Sequence, residues 1–286
     1  EGIKGAEYVD VLMPQHFFEN TNVWGEIAAW MSLRALFEIR KTSTHMRIIA
    51  ERTLIHRLNS GTITPSDLKI STVKSLIVFF GEENCSKITT LNMRKFLQIK
   101  DSDIENLSKY FTKLKYLLLK KDEITDECGV HFEKMIYLTH LDLSGCEHIK
   151  DLSFLEQCIA LSSLNLSGCR QIRNFSYLQH CKKLTTLDLS WWNQITDCSF
   201  LQHCKALTSL NFSSCERLND FSYLQHIKDL TSLNFSNCAQ SIDASFLQNF
   251  KELTNLNLSM CLGINDLNFL QHCKKLTSLN LSHCHE

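Results

Sequence analysis

From Leu138 onward the chain repeats itself. The phrase L-T-x-L-(N/D)-(L/F)-S begins at Leu138, Leu161, Leu184, Leu207, Leu230, Leu253 and Leu276, each 23 residues after the last, with Ser162 standing for Thr in the second copy. Two looser copies precede these, from Ile88 and Leu114, giving about nine units. A fixed short period constrains the fold more than any composition does. Each unit is one structural element too small to bury its own apolar face, so the units must stack. Within a unit, Leu279 and Leu281 alternate with Ser278, Asn280 and Ser282, the pattern of a strand with one buried face. Downstream, Asp197, Asp220 and Asp266 precede the apolar pairs Phe200-Leu201, Tyr223-Leu224 and Phe269-Leu270. An acidic cap before a short apolar turn predicts a brief α- or 3₁₀-helix of one to two turns on the convex side.

The phrase L-x-x-L-x-L-x-x-C resembles the leucine-rich repeat family over roughly two thirds of the chain. The resemblance implies an α/β solenoid with a parallel concave sheet and short convex helical turns. Its phrasing is closest to internalin-type and other short bacterial repeats. Cys146, Cys169, Cys215, Cys238, Cys261 and Cys284 occupy one repeat slot, which in the family faces inward and donates to backbone carbonyls of neighbouring turns. Cys158, Cys181, Cys204 and Cys273 form a second column. The 13 cysteines are odd in number and follow the repeat, unlike a secreted disulfide framework. Reduced structural thiols are therefore expected, and with them a cytoplasmic setting.

The first 85 residues lack the period and read as helical. Ile27 to Leu58 suggests two or three amphipathic helices. Thr64 and Pro65 open a further one that Gly81 stops. The division expected is 1–85 helical and 86–286 solenoid, the helices capping the leucine core at the least. The segment also resembles an F-box, the helical module that docks substrate receptors onto cullin–RING ubiquitin ligases through an adaptor subunit. Met13-Pro14 stands for the opening Leu-Pro, and Ile27, Leu33, Leu36, Ile39, Arg40, Thr42, Ser43, Thr44 and Met46 fill later places. The gap from Pro14 to Ile27 is longer than the family's, and Thr44 and Met46 replace a Lys and an aromatic residue. The resemblance assigns adaptor binding to Pro14, Ile27, Leu33, Leu36 and Ile39. F-box followed by repeats is similar to effectors of intracellular bacteria, Legionella-like, which would place the protein in a host cytosol after secretion.

Net charge is −1, which gives no global field toward nucleic acid or an anionic membrane, and no apolar run approaches the length of a membrane span. There is no phosphate loop, G-x-S-x-G or H-E-x-x-H motif, so no enzyme is read here and no cofactor. His180, His203, His226 and His272 recur with the period but share their slot with Gln157 and Asn249, the mark of a solvated convex position rather than a metal site. The concave face is monotonous, with small polar columns such as His140 to Ser278 and Asp142 to Asn280. Recognition energy comes from a few aromatic or Arg anchors. The candidates for binding a protein target on the concave face or rim are Trp191, Trp192, Arg170, Arg217, His140 and Met260, with His283 beside them. The slot of Trp191 holds Gly145, Gly168 and Ser214 elsewhere, so an indole there reads as a small-residue site given over to contact. Trp192 replaces a ladder cysteine and can pack inward. Two functions fit: a non-enzymatic adaptor linking a repeat-bound target to the ligase, or a stand-alone binder that masks one partner, its helices only a cap.

Overall fold

A computed structural model describes residues 27–96, 98–120, 123–218, 220–238, 244–262, 264 and 266–284. Nine three-residue strands form one parallel sheet in chain order: β1 Thr90–Asn92, β2 Tyr116–Leu118, β3 His140–Asp142, β4 Ser163–Asn165, β5 Thr186–Asp188, β6 Ser209–Asn211, β7 Ser232–Asn234, β8 Asn255–Asn257 and β9 Ser278–Asn280. The central leucine of each strand faces that of the next, from Leu91 against Leu117 to Leu256 against Leu279. This is the expected leucine-rich repeat solenoid. Its core leucines are buried from Leu91 to Leu258, whereas Leu279 in the last strand is 37% exposed.

Two ladders of side-chain hydrogen bonds link neighbouring units, and a third column of side chains turns the chain within a unit. The Thr/Ser hydroxyl before each strand from β3 to β9 donates to the matching carbonyl one unit earlier, as from Thr185 to Ser162 at 3.0 Å and from Thr231 to Thr208 at 3.0 Å. The Asp/Asn that ends every strand but β2 accepts from the backbone two residues on, as Asp188 does from Ser190 at 2.9 Å and Asn234 from Ser236 at 3.0 Å. That column is therefore occupied with turning the chain. The thiols of Cys169, Cys215, Cys238, Cys261 and Cys284 donate to the carbonyls of Leu143, Leu189, Phe212, Phe235 and Leu258 at 2.9 to 3.2 Å. All 13 cysteines are free thiols, and all but Cys284 are buried.

The convex turns are mostly 3₁₀ segments of three to six residues, such as Ser176–His180 and Ser199–His203. Asp197 and Asp220 cap them by accepting from the amides of Ser199 and Ser222 at 2.7 and 2.9 Å. The first unit departs from the expected length. Between β1 and β2 it carries a ten-residue helix, Asp101–Tyr110, whose Ile104 and Leu107 reach the core.

The N-terminal region is helical as expected. A turn at 27–30 is followed by α1 Leu33–Ile39, α2 Thr44–Asn59, α3 Val73–Phe80 and the short α4 Glu82–Cys85. Ser32, Ser43 and Thr72 cap the first three through their hydroxyls. The single helix expected from Thr64 to Gly81 is in fact two pieces. Thr64 opens a 3₁₀ turn, Pro65–Leu68, and Asp67 accepts from its backbone amide at 2.7 Å; Lys69 then enters the left-handed region at φ 59° and breaks the run. Asn59, at the end of α2, accepts from the Thr89 amide at 2.6 Å and ties the helices to β1. One hydrophobic core runs unbroken from Ala28 to Cys273, so helices and repeats share it.

Candidate functional site: the rim beside Trp191

Each strand from β3 to β9 is followed by one residue with positive φ: Gly145, Gly168, Trp191, Ser214, Asn237, Met260 and His283, at 56° to 73°. This corrects the expectation that the slot of Trp191 is limited by size. A Cβ added at Gly168 would sit 3.7 Å from the Gly145 backbone, an ordinary contact, and Met260 and His283 occupy the slot. The constraint is the left-handed backbone, which glycine adopts without penalty and tryptophan does not. Trp191 holds this conformation while 57% exposed. Met260 is 54% exposed in the same column.

Trp192 is corrected from contact residue to core residue. It is 2% exposed, and its indole N–H donates to the Leu166 carbonyl at 2.8 Å. A ladder thiol in the same slot makes this bond one unit before and one unit after. The indole therefore continues the ladder while filling more volume, packed against Phe175 at 5.0 Å between centroids, with Phe200 stacked on Phe175 in turn. The tandem tryptophans thus divide: one faces solvent and one faces the core.

Trp191 forms one wall of an open trough along the rim, with Arg94, Lys120, Ser144, Gly145, Glu147, Ser167, Gly168 and Arg170. Arg170 also lines a neighbouring depression with Trp192, Asn193, Gln194, Glu216 and Arg217. Arg170 and Arg217 are both exposed. Arg94 pairs with Asp142 across β2, the carboxylate buried at 4% and the guanidinium side chain 45% exposed. The outward end of that pair is therefore cationic. His140 lies on the sheet face stacked on Tyr116, ring centroids 4.2 Å apart, and burial holds its pKa below the usual imidazole value. Arg94, Tyr116 and Lys120 were missed in the sequence. They sit in the two looser units, where a departure from the repeat reads as decay rather than as content.

The F-box-like residues separate by burial. Pro14 lies outside the described residues. Leu36 is fully buried and is corrected to a core residue, while Leu33 and Ile39 are half-buried against that core and Ile27 is 38% exposed. Arg40 does not face outward either. It pairs with buried Glu51 at 2.9 Å, donates to the Phe79 carbonyl and lies 4.0 Å over the Phe79 ring. Other large apolar side chains are exposed on the helices: Trp30 at 91%, Val78 at 83% and Ile48 at 43%. On the convex side His203, His226 and His272 are exposed, and among the described residues no three His, Cys, Asp or Glu side chains converge as a metal site would require. Also among the described residues, no helix is long and apolar enough to cross a membrane.

The fold and its ladders define a leucine-rich repeat solenoid. Consistently, a family model of paired leucine-rich repeats matches residues 138–180 and 182–226, and a single-repeat model matches residues 272–285. Among solved structures the chain is similar to internalin C2 of Listeria monocytogenes, with 24% identity and a TM-score of 0.57 over 70% of this chain and 84% of that one. It is also similar to an internalin, inlF, of the same organism, with 23% identity and a TM-score of 0.52 over 69% of this chain. A TLR13–ssRNA13 complex matches with 20% identity and a TM-score of 0.57 over 75% of this chain. The chain spans about 62% of the inlF chain and 30% of the TLR13 chain. At these identities the likeness is one of fold. No curated protein matches the sequence.

Proposed function

Leucine-rich repeat solenoids are protein-interaction scaffolds, and we propose that this chain is a non-enzymatic recognition module whose repeats hold a protein target at the Trp191 rim. The observation that carries this reading is Trp191 itself. It is a bulky aromatic, 57% exposed and kept in a backbone conformation that costs free energy, in a slot that glycine fills nearby. A central aromatic beside Arg170, with Arg217 in the adjoining depression that Arg170 also lines, has the anatomy of a binding hot spot.

The finer reading is an adaptor: the helical region docks on a cullin–RING ligase while the repeats select the target, in a host cytosol. Its support is the exposed apolar surface of Trp30, Ile48 and Val78, which a plain cap has no need of. The stand-alone binder is favoured by a different observation. Leu36 and Arg40, which the F-box resemblance would turn toward a partner, are used inside the chain. Capture from eukaryotic cytosol with the full chain separates the two. Recovery of the ligase adaptor subunit, lost in Trp30→Asp, supports the adaptor. Recovery of one other protein with no ligase subunit, lost in Trp191→Ala and retained in Trp30→Asp, supports the stand-alone binder. If Trp191→Ala changes no capture at all, the rim is not the recognition site.

A further inference from the structure

The rim trough differs from the rest of the repeat surface in charge and in relief. Gly145 and Gly168 present no Cβ, so backbone can approach the trough floor closely. Trp191 closes the trough where the left-handed column changes from glycine to a side chain. Across the trough and the adjoining depression, the charged lining residues are Arg94, Lys120, Arg170 and Arg217 against Glu147 and Glu216. The buried Asp142 satisfies one edge of Arg94 without offering an anion to solvent. A surplus of cations gathers here although the chain as a whole carries −1. The slot of Arg94 and Lys120 holds serine in every later unit, Ser144 to Ser282, and the slot of Arg170 holds no second Lys or Arg, with Asn193, Glu216 and Leu262 in later units. The cations are therefore local rather than a stripe.

We propose that the occupant of this trough is an extended acidic segment of the partner protein. Its backbone lies over Gly145 and Gly168, its carboxylates face Arg94, Lys120, Arg170 and Arg217, and an apolar side chain rests on Trp191. This rests on the reading of the repeats as a protein-recognition surface and names the chemistry of what they recognise. Arginine suits the role because its planar fork takes a carboxylate in a bidentate manner. Single-stranded RNA, the other polymer that aromatic and cationic side chains attract, is disfavoured. It needs a row of cations tracking the backbone, and the slots of Arg94, Arg170 and Arg217 supply no further Lys or Arg beyond Arg217.

The experiment is selection of a random 12-residue peptide display library on the full chain. Binding of the enriched pool is then compared for the unaltered chain, Arg170→Glu, Trp191→Ala and Ser232→Ala. The pool should be rich in Asp and Glu. Its affinity should fall roughly tenfold or more in Arg170→Glu, fall similarly in Trp191→Ala, stay unchanged in Ser232→Ala and weaken as salt is raised. A neutral or basic pool, an acidic pool indifferent to Arg170→Glu, or no enrichment overturns the proposal. So does tighter binding of a mixed-sequence single-stranded RNA than of any selected peptide. The two readings fail separately. Capture of a cytosolic target that is lost in Trp191→Ala but unchanged in Arg170→Glu and in high salt keeps the recognition surface and removes its acidic ligand.

Discussion

Replacing Trp192 tests the claim that it is a ladder residue. In Trp192→Ala the indole's packing against Phe175 is lost and the Leu166 carbonyl loses one of its two donors, the indole N–H at 2.8 Å. Truncating a buried Trp to Ala costs about 3–5 kcal/mol. Trp192→Phe keeps a ring against Phe175 and removes one of the two donors to the Leu166 carbonyl, which still accepts from the Cys169 amide at 3.1 Å, so it costs about 1 kcal/mol. Trp192→Cys returns the donor used by Cys169 and Cys215 but leaves the void, so its cost falls between the two. The site also lies mid-solenoid. Stability there is a sum of units and nearest-neighbour interfaces, so weakening one interface uncouples β1 to β4 from β6 to β9. Urea unfolding followed by circular dichroism should therefore show a lower midpoint and a shallower or split transition for Trp192→Ala. Hydrogen exchange should show the C-terminal units opening first. Losses below about 1 kcal/mol for both Ala and Phe, with an unchanged slope, would refute the ladder role.

The other expectations are independent of it. Trp191→Gly should raise stability by about 1 kcal/mol, read as a higher melting temperature, because it removes a left-handed Trp while abolishing target binding; a lower melting temperature would mean that the indole packs for stability. Glu51 is 6% exposed and accepts from Arg40, Arg47 and Asn84 at 3.0 to 3.1 Å, so Glu51→Ala should cost about 3 kcal/mol or more in urea unfolding by leaving Arg40 without its carboxylate. Burial pushes the thiols of Cys158, Cys181, Cys204 and Cys215 up to about 12 from an ordinary 9.0. They stay protonated in the folded chain while the unfolded chain ionises, so their contribution is intact below pH 9 and lost as pH rises from 9 toward 12. Each should then lower stability by roughly 1 kcal/mol per pH unit above 9, and flat stability from pH 9 to 10 would contradict this. In the folded protein near pH 8, a thiol reagent should label Cys284 rapidly and the twelve buried cysteines only on denaturation.

The solenoid was legible in the sequence because every unit solves the same local problem. A short strand buries one leucine face, a polar residue turns the chain, and the next unit covers what remains exposed. Periodicity supplied the strand order and the Asp caps, and the family resemblance the inward thiols; the caps bond two residues on, as Asp197 does to Ser199, while the thiols reach the neighbouring unit. Trp192 was half legible, since its place in the cysteine slot implied an inward ring but not the carbonyl it would bond.

What the period could not carry was decided in three dimensions. The left-handed conformation at Trp191 follows from the strand-end turn and its amide bond to the Ser213 carbonyl at 2.8 Å, so conformation rather than volume explains the neighbouring glycines. Leu36 looked like a partner contact until the packing of α1 on α2 enclosed it. Arg94 and Asp142 are 48 residues apart, and only the register of β1, β2 and β3 brings their side chains together. The cationic trough is the sum of such placements. Residues from five different units share one rim because parallel stacking converts sequence distance into a fixed small step, and no pattern within a single unit records that sum.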